Sequence, residues 1–113
     1  MISNPLPDIF ASRVRDLAVR EPDLIAEVRF YPTSESGRKS PVPNGYGCAC
    51  ILNPKLPEGN DARFLFANDW VELGETVTAK LCFMLGHEVA GKYIQARRFY
   101  LWEGKVIGEA TVV

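Results

Sequence analysis

The chain has no surplus of charge of either sign. Thirteen lysines and arginines meet fourteen aspartates and glutamates, for a net charge of −1. Bulk attraction to nucleic acid or to an anionic membrane is thereby excluded, and only a local patch could supply it. No apolar run approaches the length of a membrane-spanning helix, so no membrane association is expected. The first residues, Met1 to Pro7, show no charged segment followed by an apolar one, and no secretory signal is visible. Cysteine occurs three times, at Cys48, Cys50 and Cys82. An odd count without an export signal reads as reduced thiols in a cytoplasmic protein. The Gly-x-x-x-x-Gly-Lys-Ser/Thr loop that cradles phosphates is also missing, so no nucleotide is expected.

Reactive groups are equally sparse. His87 is the one histidine, set in a loop-like Leu85-Gly86-His87-Glu88 stretch with no nucleophile elbow elsewhere in the chain. No catalytic residue is assigned, and the chain reads as a non-enzyme. Cys48 and Cys50 fall on one face of a strand, because side chains repeat every two residues. Together with Cys82 and His87 they form a conceivable four-ligand zinc set. The Cys-x-Cys spacing is not a zinc pattern, and thiols serving as small buried hydrophobes explain it better. Neither metal nor cofactor is expected.

What the chain does have is strand text. A length of 113 residues makes one domain, which should bury about two-thirds of the surface its unfolded form exposes. Residues 1–23 read as a tail followed by an amphipathic helix. Pro7 and Asp8 suit a first helical turn, Phe10, Val14 and Leu17 recur at helical spacing, and Glu21-Pro22-Asp23 stops the run. This helix is expected to cover one end of a barrel or to dock a partner. From Leu24 onward, apolar residues alternate with polar ones. Ala26, Val28 and Phe30 form one such row, Ala62, Phe64 and Phe66 a second, and Val77, Ala79, Leu81 and Phe83 a third. Tyr93 to Trp102 reads as a longer strand, and Lys105 to Val113 as the last. Turn signals fall at 54–60, 73–74, 86–91 and 103–104. The pattern predicts an all-β fold, a sandwich or a closed barrel.

The segment between the first two strands is the most distinctive. Gly37-Arg-Lys-Ser-Pro-Val-Pro-Asn-Gly-Tyr46 is basic and punctuated by prolines, with Asn44-Gly45 placed to turn the chain into the next strand. Ala26-Glu27-Val28, Gly37-Arg38, Pro41 and Asn44-Gly45-Tyr46 follow in order. Later come Leu73-Gly74-Glu75 with a Val-rich strand, then Phe99, Glu103-Gly104 and Ile107-Gly108. On these residues, positions 24–113 resemble the C-terminal β-barrel domain (domain 3) of the elongation factor Tu family, the translation GTPases that carry aminoacyl-tRNA. The resemblance implies a six-stranded antiparallel Greek-key barrel over 24–113, with the N-terminal helix an addition. It departs from the family at two tRNA-facing positions. Lys39 stands where the family has His and keeps positive charge, whereas Gly47 stands where it has Arg and removes it. The family's Glu-Gly-Gly turn is retained as Glu103-Gly104, one residue shorter.

The reading that follows is a stand-alone, translation-factor-like binding module with a protein partner, in one version a decoy or immunity-type protein. The alternative is an accessory protein of translation that binds tRNA or other RNA. The first loop and the last hairpin are expected to approach one another. Arg38, Lys39, Tyr46, Arg98, Trp102, Glu103, Gly104 and Lys105 are the residues expected to meet either partner. Lys92, Arg97 and the ring of Tyr93 are expected nearby. Basic groups beside aromatic rings suit RNA, and a tryptophan just before a tight turn suits a protein interface.

Overall fold

Of the two folds that the alternation allows, a sandwich or a closed barrel, the chain forms the closed barrel. The structure, a computed structural model, describes residues 4–36 and 38–113. Gly37, the first residue of the distinctive loop, lies outside the described residues, as do positions 1–3 of the tail. In chain order the elements are α1 (Asp8–Ala18), β1 (Leu24–Phe30), α2 (Thr33–Ser36), β2 (Val42–Pro43), β3 (Gly47–Asn53) and β4 (Leu56–Leu65). They continue with β5 (Trp70–Val71), β6 (Thr76–Phe83), a 3-10 turn (His87–Val89), α3 (Ala90–Ala96), β7 (Arg98–Trp102) and β8 (Val106–Val112).

Six strands close in the order β1-β6-β4-β3-β7-β8, and every neighbouring pair is antiparallel. β3, β4 and β6 follow one another as neighbours, and β1 lies beside the last of them, which is the Greek-key order. Closure is made by β1, where Val28 faces Val77 on one side and Ala110 on the other. The short β2 and β5 pair outside the barrel.

The inward rows are those the alternation predicts. Ala26, Val28, Phe30, Ala62, Phe64, Phe66, Ala79, Leu81 and Phe83 are all buried. Burial of these side chains, at about 1.5–3 kcal/mol for each large one, drives closure. Their rings form two clusters. Phe30 meets Tyr46, Phe64 and Phe66 at centroid distances of 5.9 to 6.2 Å beneath the loop that follows β1. At the other end of the barrel Tyr93 stacks on Phe83 at 5.2 Å and meets Phe99 edge-on at 5.1 Å.

Two expected boundaries are corrected. The stretch read as a strand from Tyr93 begins as a helix, and only Arg98–Trp102 is strand. Arg97, at φ +70°, turns the chain between them. Tyr93 drives the change: its ring fills the barrel end, and its hydroxyl donates to the Cys50 carbonyl at 2.7 Å, with Asn60 Oδ1 3.0 Å away. The turn read over 54–60 is also shorter. The Lys55 amide bonds Asn53 Oδ1 at 2.9 Å, an Asx turn, and β4 starts at Leu56. Gly59 is therefore a strand residue. It lies where a Cβ would fall 1.9 Å from the Cys50 carbonyl oxygen, so glycine is there for close backbone approach rather than for a turn.

Candidate binding groove

Asn44-Gly45 organises the mouth of the barrel. Gly45 takes φ +84°, the left-handed region expected of it. Asn44 is buried, and its amide stands in for a strand. Nδ2 donates to the Phe66 carbonyl at 3.1 Å, and Oδ1 accepts from the Phe66 amide at 2.7 Å. Against this turn lies α1. A Cβ on Gly45 would sit 3.2 Å from both the Phe10 carbonyl and Val14 Cγ2, so the helix rests on bare backbone. Arg13 Nη1 donates to the Gly45 carbonyl at 2.9 Å, and its guanidinium lies over the Phe10 ring. The expected stripe of Phe10, Val14 and Leu17 faces the barrel, while Ile9 and Val19 are exposed.

Below the helix a groove of about 440 Å³ runs along the outer wall. Its floor follows from strand registry. On β3 the outward residues are Gly47 and Ala49, both small. Gly47 faces Arg63 of β4, and Ala49 lies between Asp61 of β4 and Trp102 of β7. Small side chains on the middle strand with large ones on both flanks leave a recess. Arg13 and Met84 line it from the α1 and β6 sides, and Glu103-Gly104 from the β7–β8 turn.

The first loop and the last hairpin do meet. The buried Tyr46 hydroxyl donates to the Glu103 carboxylate. Arg38 lies over the Tyr46 ring, 4.9 Å from its centroid, and reaches the same hydroxyl at 3.4 Å. Arg38 also donates from Nε to the Ser40 carbonyl at 3.1 Å. Burial first, then the bond to Glu103, pushes the Tyr46 phenol up from its usual value. Burial likewise raises the thiol of Cys48 beneath the groove, with Glu103 next in effect. Burial lowers the Arg13 guanidinium, and the neighbouring charge of Arg63 adds to it.

Of the eight residues singled out, Arg38, Tyr46, Trp102, Glu103 and Gly104 converge at this mouth. The other three do not join them. Lys39 is exposed on the loop, and Lys105 is exposed in the turn, its carbonyl accepting from the Glu103 amide at 2.9 Å. Arg98 sits at the far end of β7 and pairs with Glu109 at 3.5 Å. Lys92 lies over the Tyr93 ring on α3. Tyr93 itself is fully buried and offers no surface for stacking. Sequence reasoning missed Arg13, Asp61, Arg63 and Met84. The signal for the recess was the small pair at Gly47 and Ala49, two strand positions apart and so on the same face.

The three cysteines are free and buried. Cys50 faces the core at 0% exposure, and burial holds its thiol well above its ordinary value. Among the described residues no group of three or more His, Cys, Asp and Glu side chains is placed to hold a metal ion. Nor does any helix among them have the length and apolarity to cross a membrane. No protein-family model matches the chain, and no curated protein matches it significantly.

Proposed function

We propose that this chain is a non-enzymatic binding module that takes a protein partner in the groove beside Trp102. One observation carries the reading: a half-buried tryptophan stands at the wall of a recess floored by Gly47 and Ala49. An aromatic anchor beside a pocket, ringed by charges, is the make-up of an interface hot spot. The groove favours protein over RNA because the cations expected to form an RNA track are dispersed. Lys39 and Lys105 point to solvent, Arg98 is paired with Glu109, and Asp61 and Glu103 line the recess.

A closed six-strand barrel hosts many functions, so the groove supports the reading more than the likeness to the elongation factor does. A partner from the translation apparatus, or a toxin directed at it, is the finer form of the same reading and draws on the resemblance alone. A cytoplasmic site of action belongs to it as well, in keeping with three unpaired, buried cysteines.

The test is capture from native lysate on immobilised wild type and on Ala49→Phe, which fills the recess without altering charge. Proteins retained by wild type, lost from Ala49→Phe, and insensitive to ribonuclease and to physiological salt are the expected result. Equal capture by both, or capture of RNA that vanishes steeply with salt, refutes it.

A further inference from the structure

Arg13 and Arg63 bring two positive charges into the groove without an ion pair to either among the described residues. Both residues line the groove, and both side chains lie against Gly47. A Cβ there would be 3.7 Å from Arg13 Nη1 and 3.7 Å from Arg63 Cγ. They come from different elements, α1 and β4, so their approach is a product of tertiary structure. Like charges held together cost free energy unless an anion is shared between them. Among the described residues neither guanidinium pairs with a carboxylate, and the Arg63 side chain makes no hydrogen bond. Arg13 spends one nitrogen on the Gly45 carbonyl, which fixes its position and leaves other donors directed elsewhere.

The rest of the lining narrows the anion. Trp102 and Met84 offer apolar contact in the same recess, and Gly47 and Ala49 leave its floor without bulky side chains. Asp61 and Glu103 are also there. A run of phosphates would meet those two carboxylates, whereas a single carboxylate can lie against the arginines alone. Guanidinium groups bind carboxylates through paired, charge-assisted hydrogen bonds. The volume of about 440 Å³ admits a few side chains.

Building on the partner-binding role above, we propose that the groove recognises a protein segment with one acidic side chain next to an aromatic or large aliphatic one. The carboxylate lies between Arg13 and Arg63, and the apolar side chain lies against Trp102 and Met84. α1 is then half of the recognition site rather than a cover, because it brings one of the two guanidinium groups.

The experiment is selection of a displayed random-peptide library on the wild-type protein, counter-selected on Ala49→Phe. Enriched peptides are then measured against Arg63→Gln and Arg63→Lys, with folding of each variant checked by thermal unfolding. Enriched sequences should carry Asp or Glu beside an apolar residue. Changing that acid to its amide, or Arg63 to Gln, should weaken binding about tenfold or more. Arg63→Lys should retain more binding than Arg63→Gln. Groove-dependent peptides with no acidic requirement would overturn the charge assignment while leaving the binding module intact. No peptide that distinguishes wild type from Ala49→Phe, or a random single-stranded RNA pool retained in their place, would overturn both.

Discussion

Replacing Tyr93 by phenylalanine takes one oxygen out of the barrel end and leaves the ring. Tyr93 is fully buried, its ring stacked on Phe83 and edge-on to Phe99, and its hydroxyl donates to the Cys50 carbonyl at 2.7 Å. A net hydrogen bond is worth about 1 kcal/mol, and a partner left unpaired in the interior costs about 1–3 kcal/mol. We therefore expect Tyr93→Phe to cost about 1–2 kcal/mol. Tyr93→Ala also removes the ring and opens a cavity between Phe83 and Phe99, for a loss of about 3–5 kcal/mol. For 113 residues the unfolding entropy is about 0.24 kcal/mol/K. The two variants should then melt about 4–8 °C and about 12–20 °C below wild type. Urea unfolding followed by tryptophan fluorescence checks both values, and an unchanged m-value shows that the same surface is exposed. A Tyr93→Phe variant within about 0.3 kcal/mol of wild type would refute the hydroxyl as a tie between α3 and β3. A Tyr93→Ala loss below about 1 kcal/mol would refute the ring as the plug of that end.

Asn44→Ala removes both bonds to the Phe66 backbone in a buried position, and should cost about 2–4 kcal/mol in the same assay. A loss near zero would mean that the turn holds itself. Alkaline pH should weaken the fold. Burial raises Tyr93 to about 12 and raises Tyr46, Cys48 and Cys50 as well. The folded chain thus keeps these protons longer than the unfolded one. Stability is complete below the thiols' ordinary value of 9.0 and falls as pH rises past it and through the raised values. Each group contributes at most about 1.4 kcal/mol per pH unit. Urea midpoints between about pH 8 and pH 11 should drop, and less steeply in Tyr93→Phe; a flat profile contradicts the burial of these groups.

The strands were legible because their signal is local. Period-two alternation over 24–30, 62–66 and 77–83 needs no tertiary knowledge, and those rows are the buried ones, save that Val77 is half-buried at the edge of the core. α3 was not legible. Ala90–Ala96 is seven residues with Gly91 inside, too short to show a helical stripe, and its hold on the barrel comes from Tyr93. Gly59 was misread for a related reason, since glycine marks a turn and a close backbone approach with the same letter. At the groove, Tyr46, Trp102 and Glu103 could be named because each flanks a turn. Arg13 and Arg63 could not, because their meeting depends on how α1 lies across β4, and the close seat of the helix on bare backbone at Gly45 is not written in the helix's own pattern.

The seam between β1 and β8 has a consequence for biosynthesis. Leu24–Phe30 is made well before the strand that covers one of its flanks, Val106–Val112, because every other strand of the barrel lies between them in the chain. A nascent chain must hold that flank open while the ribosome works through everything between. Zipping strands so remote in sequence is slow and leaves an unsatisfied edge exposed meanwhile. The cell sees an adhesive half-shell before it sees a sealed one, and the yield of soluble protein should depend on how quickly Val106–Val112 follows the other strands.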